Sequence, residues 1–262
     1  MPAFFANSNP IMKLVVFGAA GWLGRAVLAN LEGRHQVRAF DHSPDAWKTW
    51  EDVGPAWSGE TVHGDISDFG TVFAATEGMD GIIHVAAYFG GDDDDPLPWM
   101  INLKGLWNVL ESARRRGIRH VVHVGSRETV HPKGIFFDVD QRRPGGGVYA
   151  LTKRLQEETC RSFHDAHGMR ILVLCPDYIV DTRLGLGRHR ETLGPGGSVR
   201  RNGWVCRHDL AEACRLAAEN DTEDFDILHI VGTPEADATC NTERARKVLG
   251  LNYRGDVERY RG

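Results

Sequence analysis

The chain has 262 residues, of which 42% are hydrophobic and 26% are charged, so it can bury one substantial core. Its formal net charge of −5 gives no reason to expect a nucleic acid or an anionic membrane as a partner. No apolar run approaches the length of a membrane span, and residues 1–11 look like a loose leader rather than a signal peptide. Five scattered cysteines without a C-x-x-C pair indicate thiols in a reducing cytoplasm, so we expect a cytoplasmic location and no metal site.

A glycine-rich turn follows the first apolar run of the chain. Residues 14–17 predict a buried strand, and Gly18, Gly21 and Gly24 follow at G-x-x-G-x-x-G spacing before a stretch with helical periodicity. Gly18 would allow a sharp turn, Gly21 would leave the backbone open to a pyrophosphate, and Gly24 would let the helix pack closely. The helix N-terminus would face the phosphates. This spacing favours a dinucleotide-binding turn over a glycine turn without a ligand.

Asp41 ends the second apolar run, residues 36–40, about 20 residues beyond the glycines. An acid at this distance meets the ribose hydroxyls of adenosine, and its charge would repel a 2′-phosphate. The pattern therefore predicts NAD rather than NADP as the cofactor. A surface turn is the alternative explanation of Asp41.

Strand and helix patterns alternate through the rest of the first half. A short helix and a loop are predicted at residues 43–59, strands at 61–66, 81–87 and 120–126, and helices at 68–76, capped by Ser67 or Asp68, and at 99–116. The alternation predicts an α/β fold with a Rossmann-type, doubly wound parallel sheet. The four aspartates at 92–95 indicate a solvated acidic turn, since adjacent aspartates cannot all converge on one metal ion.

The second half begins with an amphipathic helix over residues 149–166. A sixth strand at 170–176, a helix at 208–219, a strand at 225–231 and a last helix at 241–249, capped by Asn241, are predicted after it. Glycines dominate residues 177–203, where we expect loops that form a lid over the substrate. The chain thus divides into a dinucleotide-binding domain, residues 12–176, and a small substrate-binding region, residues 177–262.

Ser126, Tyr149 and Lys153 form a second pattern with chemical meaning. Tyr149 and Lys153 are four residues apart, so they share one face of a helix. The ammonium, together with the positive nicotinamide, would lower the pKa of the phenol, and Tyr149 could then take a proton from a substrate hydroxyl while hydride leaves the same carbon. Ser126, at the end of the fifth strand, would orient that oxygen.

With these motifs the chain resembles the extended, epimerase/dehydratase-like branch of the short-chain dehydrogenase/reductase superfamily, from about Lys13 to Pro176. The glycine turn matches its G-x-x-G-x-x-G, residues 84–87 its H-x-A-A strand end, and Asn102 with Gly105 its N-x-x-G helix. The resemblance implies a catalytic trio of Ser126, Tyr149 and Lys153. It implies cofactor contacts at Gly18, Ala20, Gly21, Trp22, Leu23, Gly24, Asp41, Asp65, Ile66, Val85, Ala86, Ala87, Asn102, Tyr149, Lys153 and Cys175.

Two segments depart from the branch's pattern. Residues 125–131 replace the common S-S-x-x-V-Y-G, so the trio depends on Ser126 taking the place of the second serine. Cys175 stands where an arginine usually precedes the proline.

The chain is also short for this branch, because enzymes that bind nucleotide-diphosphate sugars carry a larger C-terminal domain. A smaller, sugar-like substrate is implied. In length and layout the chain is similar to uronate dehydrogenases, which oxidise a free hexuronic acid with NAD. A carboxylate substrate calls for an arginine, and Arg183, Arg200 and Arg201 lie in the predicted lid. We assign substrate binding to Tyr88, Ser126, Arg127 and Arg200.

Other functions fit the same pattern. Glu128 in Ser126-Arg127-Glu128 could serve as the added acid/base of a sugar dehydratase, and the trio would also serve an epimerase. A non-catalytic dinucleotide-binding sensor is a further alternative, although such proteins generally lose the tyrosine or the lysine. Related folds pair through two long helices, so we expect a homodimer formed by residues 99–116 and 149–166.

Overall fold

The computed structural model describes residues 10–90, 94–127, 147–200, 203–238 and 240–262. The strands, in chain order, are β1 (Lys13–Phe17), β2 (Gln36–Asp41), β3 (Glu60–His63), β4 (Gly81–His84), β5 (His120–Val124), β6 (Arg170–Cys175), β7 (Tyr178–Asp181), β8 (Leu186–Gly187), β9 (Trp204–Cys206) and β10 (Phe225–His229). The α-helices are α1 (Trp22–Leu31), α2 (Phe69–Ala75), α3 (Gly105–Arg116), α4 (Val148–His167), α5 (Arg207–Ala218) and α6 (Thr242–Leu249).

Seven of the described strands form one parallel sheet, in the order β10-β6-β5-β4-β1-β2-β3. β1 pairs with β2 on one side and with β4 on the other, so the strand order reverses between β1 and β4. A crevice opens at the carboxyl ends of the strands where the order reverses, and such a crevice is where open parallel sheets bind ligands. The predicted α/β fold with a doubly wound parallel sheet is confirmed.

Both faces of the sheet are covered, as a parallel sheet requires. Successive side chains of β1 point to opposite faces: Leu14 and Val16 pack against α1 and α5, whereas Val15 and Phe17 pack against α2, α3 and α4. All four side chains are fully buried. This continuous apolar run produced the sequence signal for the first strand, and it holds the glycine turn at the carboxyl end of β1.

A second, smaller sheet is formed by β7 and β8, which lie in residues 177–203 where the sequence predicted loops, and by β9, which follows them. β7 pairs antiparallel with β8 and parallel with β9. These strands are two to four residues long and are separated by glycine-rich turns, so no periodicity marks them. The small sheet positions residues 186–193, and Arg188 and His189 of this stretch line the cavity described below.

Several element boundaries and one helix cap differ from the sequence prediction. Residues 98–104 form a π-helix that continues into α3, where one helix over 99–116 was expected. β4 ends at His84 and β5 at Val124, before the small residues that follow each strand. Asn241 occupies the position before α6 but does not cap it, because its side chain accepts a hydrogen bond from the His229 N–H and donates one to the Ile227 carbonyl.

No helix among the described residues is both long enough and apolar enough to cross a membrane. The five cysteines are buried thiols. In the described ranges, no group of three or more histidine, cysteine, aspartate or glutamate side chains is arranged to hold a metal ion.

Candidate active site

One cavity of about 800 Å³ occupies the crevice at the carboxyl edge of the sheet. The glycine turn after β1, Asp41 at the end of β2, the segment after β4, and Ser126 after β5 all line it. Tyr149 and Lys153 enter it from the first turns of α4. The topology therefore brings the glycine turn and the predicted catalytic trio to one site, although 135 positions separate Gly18 from Lys153 in the sequence.

The glycine turn has the shape that a bound pyrophosphate requires. Gly18 adopts a left-handed φ of +86°, and a Cβ there would lie 2.6 Å from the Ala86 nitrogen. A Cβ on Gly24 would lie 2.1 Å from the Gly18 carbonyl oxygen, so this glycine lets α1 pack against the turn. A Cβ on Gly21, which precedes α1, would have the Gly18 oxygen as its nearest neighbour at 3.4 Å, so the side facing the cavity is open. Phosphate oxygens fit this open helix N-terminus.

Asp41 is held rigidly at the other end of the turn. One of its carboxylate oxygens accepts a hydrogen bond of 2.8 Å from the Ala20 N–H, and the other accepts from the His42 N–H at 2.8 Å. The carboxylate therefore ties β2 to the glycine turn and presents a negative charge to the cavity. This placement fits the predicted contact with the adenosine ribose. Asp65 and Ile66, which follow β3, line the same end of the cavity.

Lys153 is the buried cation of the predicted trio. Its side chain is 1% exposed, and its ammonium donates a hydrogen bond of 2.9 Å to the Val124 carbonyl. Burial lowers the pKa of Lys153 to about 8, so the group is still mostly protonated at pH 7. The Nζ atom lies 5.8 Å from the centre of the Tyr149 ring. The fold thus places the buried cation beside the tyrosine ring that the sequence predicts as the base.

Two buried histidines lie next to Lys153. The rings of His84 and His123 stack at 5.1 Å, and their Nδ1 atoms are 2.9 Å apart. Burial, and then the charge of Lys153, lowers the pKa of His84 to about 3 and also holds the pKa of His123 well below its usual range. Both rings are therefore neutral, so they add no positive charge that would repel Lys153.

Phe89 and Arg188 line the part of the cavity next to Tyr149. The ring of Phe89 lies 5.0 Å from the Tyr149 ring, and the Arg188 guanidinium lies 4.1 Å from the centre of the Phe89 ring. Arg188, from the small sheet, makes no hydrogen bond or ion pair with any other described residue. Neither residue was predicted from the sequence. Arg188 sits in a glycine-rich stretch with no periodic signal, and Phe89 lies just after the predicted strand at 81–87, where no motif marks it.

Four of the predicted site residues do not line the cavity: Asn102, Arg127, Cys175 and Arg200. The Arg200 guanidinium is buried in ion pairs with Glu235 and Glu258, so its position does not support the expected contact with the substrate. Arg183 is exposed in a turn outside the lining. Glu128 and Arg201 lie outside the described residues.

The other three residues, Asn102, Arg127 and Cys175, contact residues next to the cavity. Asn102 is fully buried and holds both the N–H and the carbonyl of Tyr88, at 2.8 and 3.0 Å. The Arg127 guanidinium contacts the carboxylate of Asp177, and the Cys175 thiol donates to Glu157 at 3.3 Å. A direct contact of Asn102 or Cys175 with the cofactor, or of Arg127 with the substrate, is thus not supported by their positions.

Comparison with known proteins extends these observations. A model of the NAD dependent epimerase/dehydratase family matches residues 14–180. The chain is 30% identical over 173 residues to a uronate dehydrogenase of Pseudomonas putida. This alignment covers 62% of this chain and 59% of the relative. It is also 30% identical over 179 residues to a 3 beta-hydroxysteroid dehydrogenase/Delta 5→4-isomerase of Mycobacterium tuberculosis. This second alignment covers 64% of this chain and 47% of the relative. The chain thus spans about half to three fifths of the length of these curated relatives.

The fold also matches a solved structure over nearly its full length. A short-chain dehydrogenase/reductase superfamily protein from Agrobacterium tumefaciens, solved with bound NAD, superposes with a TM-score of 0.73 at 20% identity. The match covers 95% of this chain and 94% of that one. At this level of identity the likeness establishes the shared fold.

Proposed function

Because the chain belongs to the NAD-dependent epimerase/dehydratase family and therefore uses NAD, we propose that it oxidises a hydroxyl group of a small sugar acid by hydride transfer. The observation that carries this proposal is the convergence of Ser126, Tyr149 and Lys153 on the cavity that contains the glycine turn. Oxidation of an alcohol needs a base for the hydroxyl proton beside the hydride acceptor. Tyr149, with the Lys153 ammonium nearby, supplies that base.

The proposed reaction moves one proton and one hydride. The Tyr149 phenolate takes the proton of the substrate hydroxyl, while Ser126 hydrogen-bonds the same oxygen and orients it. NAD, when bound, supplies the acceptor for the hydride that leaves the adjacent carbon. The carbon becomes a carbonyl, and at the anomeric carbon of a hexuronic acid this product is a lactone. The glycine turn and Asp41 hold the pyrophosphate and the ribose.

A carboxylate on the substrate is favoured by Arg188. Its guanidinium lies over the Phe89 ring, and that ring lies 5.0 Å from the Tyr149 ring, so an acid bound at Arg188 would have its hydroxyl near the base. A guanidinium can bind a carboxylate through two parallel N–H donors. The similarity to a uronate dehydrogenase points to the same substrate class.

An apolar alcohol is a second candidate substrate. Phe89, Leu97 and Met100 are exposed large apolar side chains, and all three line the cavity. Such a wall suits a steroid-like or alkyl-bearing alcohol better than a bare sugar, and one relative is a hydroxysteroid dehydrogenase.

A panel of substrates tests the proposal. The purified protein is given NAD or NADP with free hexuronic acids, neutral aldoses and hydroxysteroids, and NADH formation is followed by absorbance. NADH formed with a hexuronic acid supports the proposal, and turnover of the steroid alone would replace it with the second candidate. No net reduction, with cofactor copurifying, would favour a dehydratase or epimerase that recycles its NAD. If the protein binds NAD but converts none of these compounds and no nucleotide sugar, the non-catalytic sensor would be favoured.

A homodimer remains part of the proposal. Trp107 on α3 and Leu151 and Leu155 on α4 are large apolar side chains exposed on neighbouring helices. Two copies could bury these faces in a four-helix contact. Light scattering after gel filtration measures the mass, and Leu155→Glu should convert a dimer to a monomer by placing a charge in the contact.

A further inference from the structure

Two segments face each other across the cavity. The first, which we call the anchor segment, is residues 44–55 and contains two short 3-10 helices, Pro44–Lys48 and Glu51–Val53. The second, which we call the strap, is residues 186–193 of the small sheet. Thr49 and Trp50 of the anchor segment and Arg188 and His189 of the strap line the cavity. The anchor segment begins three residues after Asp41, so it lies beside the adenosine end of the cofactor site.

The anchor segment is fixed to the main body by buried arginines. Arg25, which is 6% exposed, donates to the carbonyls of Trp47, Gly54 and Pro55. Arg207, which is 4% exposed, donates to the Val53 carbonyl at 3.3 Å. Buried charged donors on main-chain carbonyls are costly to break. The anchor segment is therefore the rigid side of the cleft.

The strap is a tight hairpin held to the anchor segment by one side chain. The Gly187 N–H bonds to the Glu191 carbonyl at 2.9 Å and the Arg190 N–H to the Gly187 carbonyl at 3.0 Å. At its tip, the guanidinium of Arg190 makes a two-pronged ion pair with Asp52, with distances of 3.0 and 3.1 Å. It also donates to the Thr49 carbonyl and lies 4.4 Å from the centre of the Trp50 ring.

Two features show that this contact is both specific and easy to open. Among the described residues, Arg190 is the only one other than glycine with a positive φ, +63°, so the backbone adopts an uncommon conformation where the side chain reaches Asp52. Both side chains are 47% exposed, and exposed ion pairs are weak and screened by salt. A contact of this kind can close and open during a catalytic cycle.

We propose that the Arg190–Asp52 pair is a latch that holds the strap over bound NAD, so that opening of this pair controls the rate at which the cofactor leaves. Trp50 is then a further residue of the cofactor site. It lies between the latch and Trp22, and the centres of the Trp50 and Trp22 rings are 5.0 Å apart. The inference depends on NAD as the cofactor and not on the identity of the substrate. It would make cofactor exchange sensitive to ionic strength.

Dissociation of NADH, measured without any substrate, tests the latch. NADH bound to the protein is chased with excess NAD and its fluorescence is followed by stopped flow for wild type, Arg190→Ala, Asp52→Asn and the double variant. Each single variant should release NADH roughly three- to tenfold faster, and the double variant should be no faster than Arg190→Ala, since removal of the guanidinium already removes its ion pair with Asp52. Raising salt from about 0.05 to about 0.5 M should narrow the gap between wild type and the variants.

Asp224→Asn is the matched control. Its carboxylate pairs with Arg170 Nε at 3.0 Å, also at the surface, but at the start of β6 and thus at the sheet edge opposite the cavity. This variant should release NADH at the wild-type rate. The latch is wrong if Arg190→Ala and Asp52→Asn, both folded by circular dichroism, release NADH at the wild-type rate. It is equally wrong if their effects simply multiply in the double variant.

Discussion

Replacing Lys153 by methionine should stabilise the protein at neutral pH while it abolishes turnover. The side chain is buried, and burial lowers its pKa from an ordinary 10.5 to about 8. At about 1.4 kcal/mol for each pKa unit, holding the ammonium in the fold costs about 3 kcal/mol at pH 7. Methionine removes this cost but leaves the Val124 carbonyl without its donor, which costs about 1 to 2 kcal/mol. The net gain should be about 1 to 2 kcal/mol.

The pH dependence separates this cause from a general packing effect. Because the pKa of Lys153 is lower in the folded state, its cost is complete below about pH 8. As the pH rises through the folded pKa, the folded protein loses the proton first, and the cost disappears near the unfolded value of 10.5. The stability advantage of Lys153→Met over wild type should therefore shrink by roughly 2 to 3 kcal/mol between pH 7 and pH 10.

Urea unfolding of both proteins at several pH values measures this difference, since all other titrating groups are shared. NADH formation by the variant should fall at least about 100-fold if the ammonium assists Tyr149. A stability difference that does not change with pH, or that grows in favour of the variant as the pH rises, would refute the reasoning.

Three further substitutions test other parts of the site. Gly24→Ala places a Cβ 2.1 Å from the Gly18 oxygen and should lower the free energy of unfolding by about 1 to 3 kcal/mol, measured by thermal or urea unfolding. The control Gly70→Ala, in α2, has its nearest neighbour at 3.5 Å and should be neutral or stabilising. Equal effects of the two substitutions would contradict the packing argument. Arg188→Met should raise KM for a hexuronic acid about tenfold or more and leave KM for a neutral aldose unchanged, and parallel changes would exclude a carboxylate contact. Asp41→Ser should raise the NADP-to-NAD ratio of kcat/KM roughly tenfold by removing the charge that repels a 2′-phosphate, and an unchanged ratio would remove Asp41 from cofactor choice.

The sheet and the cofactor turn were predictable because each depends on local chemistry. Runs such as residues 14–17 are apolar throughout because both faces of a parallel sheet are buried, and Gly18 and Gly24 stand where any Cβ would clash with backbone. The prediction of an extended short-chain dehydrogenase/reductase with NAD is confirmed by the family match. The roles of Ser126, Tyr149 and Lys153 stay predictions, although the fold brings all three to one cavity.

Contacts that depend on loop geometry could not be predicted. Arg188 reaches the cavity only because β7, β8 and β9 form a small sheet, and strands of two to four residues leave no periodic pattern. Arg200 lies in the same predicted lid as Arg188, but its guanidinium binds Glu235 and Glu258, which are 35 and 58 residues further along the chain. Asn241 could have capped α6 by its position, yet β10 offered its side chain both a donor and an acceptor.

The stacked pair of His84 and His123 makes the tautomers of two rings interdependent. Each ring is neutral and carries a single N–H, and the hydrogen bond between the two Nδ1 atoms can use only one of them. The ring that donates from Nδ1 therefore has a bare Nε2, and the other ring must carry its hydrogen on Nε2. If the shared proton moves from one ring to the other, both rings stay neutral only if the Nε2 of the first ring gains a hydrogen and the Nε2 of the second ring loses one. Nitrogen-15 NMR of imidazole-labelled protein should thus show one Nδ1–H ring and one Nε2–H ring.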